Sequence, residues 1–167
     1  MGWDKGVDYE TMYARLLRKI DSVKKSSTKC YMIIALIQLR NGSRISEAIR
    51  AFKEWVKTNK TELYIRVSKK KREETRLMII PREVTNMRLH CVDLVDINDK
   101  TLRERVRSAL RYYFSINTHS LRYSFITYLL RNNISVAVVS KLIKHSKLDT
   151  LLSYVQEREA ERVLRSI

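Results

Sequence analysis

The stretch that decides how the chain folds is Asn117-Thr-His119-Ser-Leu-Arg122-Tyr-Ser-Phe125. A run of helical periodicity connects it to Lys144-His145-Ser146, and Tyr154 follows His145 by nine positions. Because His119 and Arg122 are three residues apart, a helix over this stretch places both side chains at neighbouring positions in its first turns. The planar guanidinium of arginine binds phosphate oxygens bidentately, so this face is a candidate phosphate site.

Helical periodicity of apolar residues extends in both directions from this stretch. The helix over 29–40 is apolar on most sides, so it is expected to be the central buried helix, ending at Asn41-Gly42. Asp99 and Thr118 are the expected N-caps of two later helices. The predicted segments, in chain order, are an amphipathic helix within the first 26 residues, helices over 29–40, 46–55, 99–114, 119–131 and 136–143, and two further segments over 148–154 and 157–167.

A shorter region between these helices favours β-structure. The runs 63–67 and 77–80 flank a polar connection, and Pro81 closes the second run because it lacks a backbone donor. The segment 84–99 gives mixed signals and is expected to be an ordered connection. The predicted fold class is therefore α+β and mostly α-helical, a single domain over residues 1–167 with a small antiparallel β-hairpin at one edge.

The charge balance points to a polyanionic partner. The chain has 34 Lys and Arg against 18 Asp and Glu, a net charge of +16, which favours nucleic acid first. The apolar runs fall short of the ~20 residues that cross a bilayer, and no secretory signal is visible, so we expect no membrane association and an intracellular, DNA-associated protein. Cys30 and Cys91 are expected to be reduced buried thiols, and neither has the spacing of a metal site.

A second motif lies far upstream, at Asn41-Gly-Ser-Arg44-Ile-Ser-Glu47. Together with His119-Ser-Leu-Arg122, Lys144-His145-Ser146 and Tyr154, it resembles the catalytic signature of the tyrosine recombinases, the phage-integrase family of site-specific DNA recombinases. The resemblance covers about residues 28–160. The composition is also similar to that of integrases of archaeal viruses, which would place the protein in a host cytoplasm and give it a role in viral genome integration.

The resemblance implies a role for each matched residue. Arg44 and Arg122 stabilise the phosphate, and His145 donates to it. His119 assists proton transfer. Tyr154 is the nucleophile that forms a 3′-phosphotyrosyl link, and because this ester conserves the energy of the broken bond, no ATP is required. The phosphate-binding cations neutralise the nonbridging oxygens, so no metal cofactor is expected.

Two positions depart from the family pattern. Lys144 stands where the family has a glycine before the second histidine, and it adds charge near the phosphate. Asn132-Asn133 replaces the glycine expected after the second-box helix, a mild change because asparagine tolerates left-handed geometry. Neither departure removes a catalytic group.

The general-acid lysine of the family lies on the β-hairpin, and here its identity is open. Counting forward from the first strand favours Lys69, whereas counting back from Arg76 and Pro81 favours Lys71. We predict that Lys69 is the general acid. The alternative is that the turn is solvated and its three lysines are interchangeable. The remaining cations of this turn are expected to bind DNA, together with Lys144; they are Lys70, Lys71 and Arg72.

The resemblance also implies an assembly. Family members act as four protomers on two DNA sites, so we expect a homotetramer on double-stranded DNA and a monomeric or weakly associating protein without it. The N-terminal core-binding domain of the family is expected to be absent, because only one domain fits the length. The charged helix over 157–167 is expected to dock on a neighbouring protomer.

Simpler interpretations exist for each residue taken singly. Arg44 and Glu47 can form an ordinary i, i+3 helix pair, and Tyr154 can anchor a core. The segment 134–154 can be a helix-turn-helix that binds DNA without catalysis. A type IB topoisomerase or a telomere resolvase shares the chemistry and is the closer alternative. The joint occurrence of the boxes in order, in a basic chain, favours the recombinase.

Overall fold

A computed structural model of the chain describes residues 7–68, 72–144 and 148–167. Two strands, β1 (Glu62–Arg66) and β2 (Thr75–Ile79), and a 3-10 segment (Arg82–Leu94) lie in the middle of the chain. The described helices are α1 (Tyr9–Ser22), α2 (Ser26–Asn41), α3 (Ile45–Thr58), α4 (Asp99–Phe114), α5 (Thr118–Arg131), α6 (Val136–Ile143) and α7 (Leu148–Ser166). The expected fold class, mostly α-helical with one small antiparallel sheet, is confirmed.

Helix α2 is the centre of the fold. Every side chain from Met32 to Leu39 is buried, and the helix packs against α1, α3, α4, α5 and the 3-10 segment. A helix that is apolar on most sides has neighbours on most sides, because each exposed apolar face would lose hydrophobic stabilisation. The prediction of a central buried helix is confirmed. It begins earlier than expected, at Ser26.

Gly42 ends α2 and brings the next helix close to α5. Its φ is 58°, in the left-handed region that favours glycine. A Cβ at this position would lie 2.0 Å from Cδ1 of Phe125 on α5, so the close approach also requires a residue without a side chain. Gly42 therefore allows the turn before Arg44 to pack directly against the helix that carries Arg122.

Two N-caps lie one residue earlier than the sequence predicted. The side chain of Asn117 accepts the Ser120 N–H at 3.0 Å, so Asn117 is the N-cap of α5 and Thr118 is its first residue. Asn98 similarly accepts the Thr101 N–H at 2.8 Å and caps α4. In each case two adjacent residues can cap, and asparagine is the one whose backbone is extended.

The hairpin is fixed to α2 through Asn41. Strands β1 and β2 pair antiparallel, with Glu62 opposite Ile79 and Arg66 opposite Thr75. The Asn41 side chain donates to the Ile79 carbonyl at 2.9 Å and accepts the Ile79 N–H at 2.8 Å. These two bonds satisfy backbone groups on the open edge of β2, which would otherwise lack a strand partner.

The expectation of reduced thiols at Cys30 and Cys91 is wrong. The two residues form a disulfide that joins α2 to the 3-10 segment across 61 residues of sequence. The tertiary packing brings the segment 84–99, which was expected to be an ordered connection, onto α2. Intracellular proteins of hyperthermophilic archaea commonly contain disulfides, so a cystine does not by itself exclude an intracellular location.

Reduction of this disulfide should lower the free energy of unfolding. In the chain-entropy account, a closed loop of this size contributes about 4 kcal/mol. We expect the urea midpoint of the oxidised protein to fall when a reductant is added, and the Cys30→Ser, Cys91→Ser double variant to show the lower midpoint with or without reductant. An unchanged midpoint in the reduced wild type would contradict a stabilising role.

The end of the chain is more regular than predicted. Helix α7 is continuous over Leu148–Ser166, where two segments were expected. Asn133 has a φ of 62°, so the substitution for glycine after α5 adopts the left-handed geometry anticipated for it. Among the described helices, none combines the length and the apolar character needed to span a membrane.

Candidate active site

The two arginine boxes meet because Gln38 binds both. From the last turns of α2, its side-chain amide donates to the Ser43 carbonyl at 3.1 Å and to the Thr118 carbonyl at 3.0 Å. Ser43 precedes Arg44, and Thr118 precedes His119. A single buried amide therefore sets the position of the first box relative to the second.

Arg44 is the N-cap residue of α3 and pairs with Glu47. Its Nη1 lies 3.2 Å from Oε2 of Glu47, and its backbone N–H donates to Oε1 at 3.3 Å. The ordinary helix pair considered above is thus present. Glu47, however, is fully buried, which is unusual for a carboxylate unless several donors compensate it.

Glu47 has two further partners, and both come from the hairpin. The backbone N–H of Ser68 donates to Oε2 at 3.1 Å, and Nη1 of Arg76 lies 3.6 Å from Oε1. Ser68 is also held by hydrogen bonds to Ser46, at 2.7 Å between the two hydroxyls, and to Arg50 at 3.2 Å. The carboxylate of Glu47 is the point at which α3 and the hairpin are joined.

Arg122 projects from α5 into the same region. It is buried, and its Nη2 donates to the carbonyl of Ile143 at the end of α6, at 3.2 Å. Its Nη1 is buried and has no hydrogen-bond partner among the described residues. Burial, and secondly the charge of Arg44, lower the pKa of Arg122 to about 10. The guanidinium remains charged at neutral pH but is poorly compensated.

Sequence reasoning used Arg76 only to count positions and missed its place in the site. It lies on β2, its side chain is 4% exposed, and its pKa is lowered first by burial, with Arg44 also contributing. Its Nη2 donates to the Asn41 carbonyl at 2.5 Å. The pairing register explains its orientation: Arg76 is opposite Ile65, and directly opposed residues share a face.

Arg44, Arg76, Arg122 and Glu47 together form what is called here the arginine cluster. Arg44 and Arg76 pair with Glu47, and Arg122 is close enough to be influenced by all three charges, so the cluster has a formal charge of +2. Excess buried positive charge is costly unless an anion compensates it. The cluster is therefore suited to bind a phosphate.

His119 is exposed at the first turn of α5, at the edge of a second basic feature. It lines a groove together with Arg107 and Arg111, which project from α4. Arg107 pairs with Glu104 at 3.0 Å, and both residues are solvent-exposed. Within the described ranges, no group of three or more His, Cys, Asp or Glu side chains is placed to hold a metal ion.

Comparison with known proteins identifies the family. No family model matches the chain. A protein of Acidianus two-tailed virus named "Putative integrase ORF241" is 34% identical over 168 residues, which cover 99% of this chain and 68% of that protein. "Putative integrase V10" of Sputnik virophage is 30% identical over 200 residues, which cover 97% of this chain and 88% of that protein. The chain belongs to the tyrosine recombinase family.

The fold agrees with this membership. The crystal structure of XerA recombinase matches with a TM-score of 0.56 at 16% identity, over 87% of this chain and 57% of that chain. At such low identity the likeness shows the fold alone. The chain spans less than two thirds of the XerA chain.

Several residues that the family resemblance selects lie outside the described residues. These are Lys69, Lys70, Lys71 and His145. Tyr154 lies within α7, but its side chain is outside the described part. Of the tyrosine-recombinase boxes, the structure thus brings together Arg44 and Arg122, places His119 on the same helix as Arg122, and adds Arg76.

Lys144 stands where the family has a glycine, and its backbone shows why glycine suits that position. It is the C-cap of α6 with a φ of 51°, a conformation that costs a residue with a side chain about 1–2 kcal/mol. Its ammonium lies 3.1 Å from Oε1 of Glu74, in the connection between β1 and β2. Arg72, in the same connection, is exposed.

Proposed function

We propose that the chain is a site-specific DNA recombinase or integrase that cleaves and rejoins DNA strands through a 3′-phosphotyrosyl intermediate. The observation that carries this proposal is the arginine cluster, in which Arg44 and Arg76 pair with the buried carboxylate of Glu47 and the buried Arg122 lies within electrostatic range of all three. Such a site favours a phosphodiester whose negative charge increases in the transition state.

In the proposed first step, the Tyr154 oxygen attacks the scissile phosphorus and the bond to the 5′ oxygen breaks. The product is a 3′-phosphotyrosyl link and a free 5′-hydroxyl. Arg44, Arg122 and His145 stabilise the pentacoordinate phosphate, and His119 takes the tyrosine proton. A 5′-hydroxyl from a partner duplex then attacks the link and releases Tyr154, which exchanges the strands.

Lys69 is proposed as the acid that protonates the departing 5′ oxygen. Support comes from Ser68, the residue directly before it, whose backbone and hydroxyl are bound by Glu47, Ser46 and Arg50. The chain thus enters the polar connection from a point fixed against the Arg44 box. Lys71 is farther along the connection and remains the alternative.

The proposed partner is double-stranded DNA, bound by backbone contacts. The net charge of +16 and the groove of Arg107, Arg111 and His119 support this partner. Lys70, Lys71, Arg72 and Lys144 are proposed as further phosphate contacts. Lys144 would exchange its contact with Glu74 for one with DNA. The proposed location is intracellular, in a host cytoplasm.

The proposed assembly is a homotetramer on two DNA sites, with the end of α7 docked on a neighbouring protomer. Val163, Leu164 and Ile167 are exposed apolar side chains at this end. Within its own chain, α7 is held to α5 by Glu159, whose Oε1 accepts from Nε of Arg131 at 2.8 Å. The proposed docking surface therefore lies on the C-terminal side of Glu159.

Deletion of residues 157–167 should weaken the association of DNA-bound protomers. Because burying one Leu or Ile side chain contributes about 1.5–3 kcal/mol, the loss should weaken association at least about tenfold. Analytical ultracentrifugation of the protein on a duplex carrying its target measures this. Glu159→Gln, which removes only the intrachain ion pairs with Arg131 and Arg162, should keep the oligomer. DNA-bound oligomers that survive the deletion with an unchanged association constant would refute the docking.

The chemistry itself is tested with a nicked duplex whose short 5′-hydroxyl fragment diffuses away after cleavage. This prevents resealing, so the covalent intermediate accumulates. A denaturing gel should show a protein–DNA adduct, and peptide mapping should locate it at Tyr154. DNA binding with no adduct would favour a non-catalytic DNA-binding protein, and relaxation of supercoils without a second site would favour a topoisomerase.

A further inference from the structure

We propose that Arg76 is a positioning residue for strand cleavage, acting through Glu47 to keep Arg44 available for the phosphate. This inference rests on the proposed function. Arg76 does not contact the substrate in this proposal, since only 4% of its side chain is exposed.

The first argument is geometric. Glu47 offers two oxygens, and Arg44 uses both, through Nη1 at 3.2 Å to Oε2 and through its backbone N–H at 3.3 Å to Oε1. Arg76 approaches Oε1 from the opposite element, at 3.6 Å. Glu47 is thus held between two guanidinium groups, one that can reach the phosphate and one that is confined to the protein.

The second argument is electrostatic. Without Arg76, Glu47 would neutralise Arg44 alone, and the formal charge of the arginine cluster would fall from +2 to +1. With Arg76 present, the carboxylate is shared, so Arg44 retains more of its attraction for an anion. The lowered pKa values of Arg76 and Arg122 agree with mutual repulsion among these cations in addition to burial.

The third argument concerns the hairpin. Arg76 donates to the carbonyl of Asn41, and the Asn41 side chain binds both backbone groups of Ile79. The same strand is therefore tied to Asn41 at the end of α2, directly before Gly42 and Ser43 lead into the Arg44 box. Loss of Arg76 would remove one of these three bonds and its contact with Glu47, the carboxylate that also accepts from the Ser68 N–H, and would thereby loosen Ser68, which precedes the proposed acid Lys69.

The experiment measures the single-turnover rate of adduct formation on the nicked duplex, at saturating DNA, together with the dissociation constant of the DNA. Arg76→Gln should lower the rate about 10- to 100-fold, the range expected when a catalytic group is misplaced by about 1 Å. Its dissociation constant should change less than about threefold, since Arg76 makes no contact with DNA. Arg76→Lys should recover part of the rate because it keeps the charge.

A double-mutant cycle separates positioning from general stability. In an Arg44→Lys background, Arg76→Gln should slow the reaction much less than in the wild type, because its effect passes through Arg44. Leu102→Ala, a buried change in α4 outside the arginine cluster, controls for destabilisation and should leave the rate unchanged below its melting temperature. If Arg76→Gln does not fold, the same cycle is made with Arg76→Lys.

The outcomes are distinguishable from those of the proposed function. A wild-type protein that forms no adduct would remove the proposed function and this inference with it. A wild-type adduct with an unimpaired Arg76→Gln variant would overturn the role of Arg76 alone. Equal rate losses in both Arg44 backgrounds, or a loss matched by Leu102→Ala, would also overturn it.

Discussion

Tyr154→Phe should form no covalent adduct with DNA, while its affinity for the same duplex stays within about twofold of wild type. The substitution removes one oxygen and keeps the ring, so only the nucleophile is lost. Removal of the nucleophile from a catalytic set that acts as a unit costs at least about 10⁴-fold. A radiolabelled nicked duplex on a denaturing gel has the dynamic range to detect a residual rate of that size.

A matched control comes from the other tyrosines of the chain. Tyr64 on β1 is 74% exposed and lies outside both the arginine cluster and the groove of Arg107, Arg111 and His119, so Tyr64→Phe makes the same chemical change at a surface position away from the proposed active site. It should form the adduct at the wild-type rate. If Tyr154→Phe still forms an adduct, another residue is the nucleophile, and peptide mapping of that adduct would identify it.

The parts of the site that the sequence predicted are those built from local spacing. His119 and Arg122 share one helix, so their relative placement follows from three residues of separation. Arg44 follows a glycine stop signal, and that turn is present with Gly42 in left-handed geometry. The sequence could not show that Phe125 packs on Gly42, because this contact joins residues more than 80 positions apart.

Arg76 shows the limit of local patterns more clearly. In a run of β-rich residues, a single arginine is normally an outward-facing surface residue. Here Leu77 faces outward and is 44% exposed, and Arg76 faces inward. The orientation depends on the pairing register and on the carboxylate of Glu47 from another element. Neither is visible in residues 75–79 alone, since a shift of one residue would reverse every side chain.

The disulfide is a second feature that local context could not reveal. Cys30 and Cys91 each lie among apolar residues, which is equally compatible with buried thiols. Their pairing requires the 3-10 segment to pack on α2, and that packing is set by the whole core. The small number of cysteines favoured reduced thiols, and the tertiary contact shows that the two cysteines are paired.

Arg122→Gln should lower the rate of adduct formation without lowering the free energy of unfolding. The side chain is buried, and its Nη1 has no hydrogen-bond partner among the described residues, so the cation is a poorly compensated charge in the free protein. Glutamine keeps a polar side chain and removes the charge. We expect the rate of adduct formation to fall about 10²- to 10³-fold, the loss typical of removing one donor to a developing oxyanion.

The free energy of unfolding of Arg122→Gln should be equal to or greater than that of the wild type. The pKa of Arg122 is lowered to about 10 in the folded protein, so folding disfavours the charged form. This penalty is fully present below pH about 10 and diminishes as the pH rises from there toward the ordinary pKa of arginine. At neutral pH the variant therefore avoids a cost that the wild type retains.

Added sulfate provides the decisive comparison for Arg122. An anion that binds the arginine cluster stabilises the folded wild type in proportion to its occupancy, so the melting temperature should rise with sulfate concentration. The rise in melting temperature should be smaller in Arg122→Gln than in the wild type. In Arg105→Gln, a matched loss of charge at an exposed position on α4, the rise should equal that of the wild type. A marked loss of stability in Arg122→Gln without sulfate would instead mean that its bond to Ile143 is structural. The arginine would then be retained for packing rather than for the phosphate.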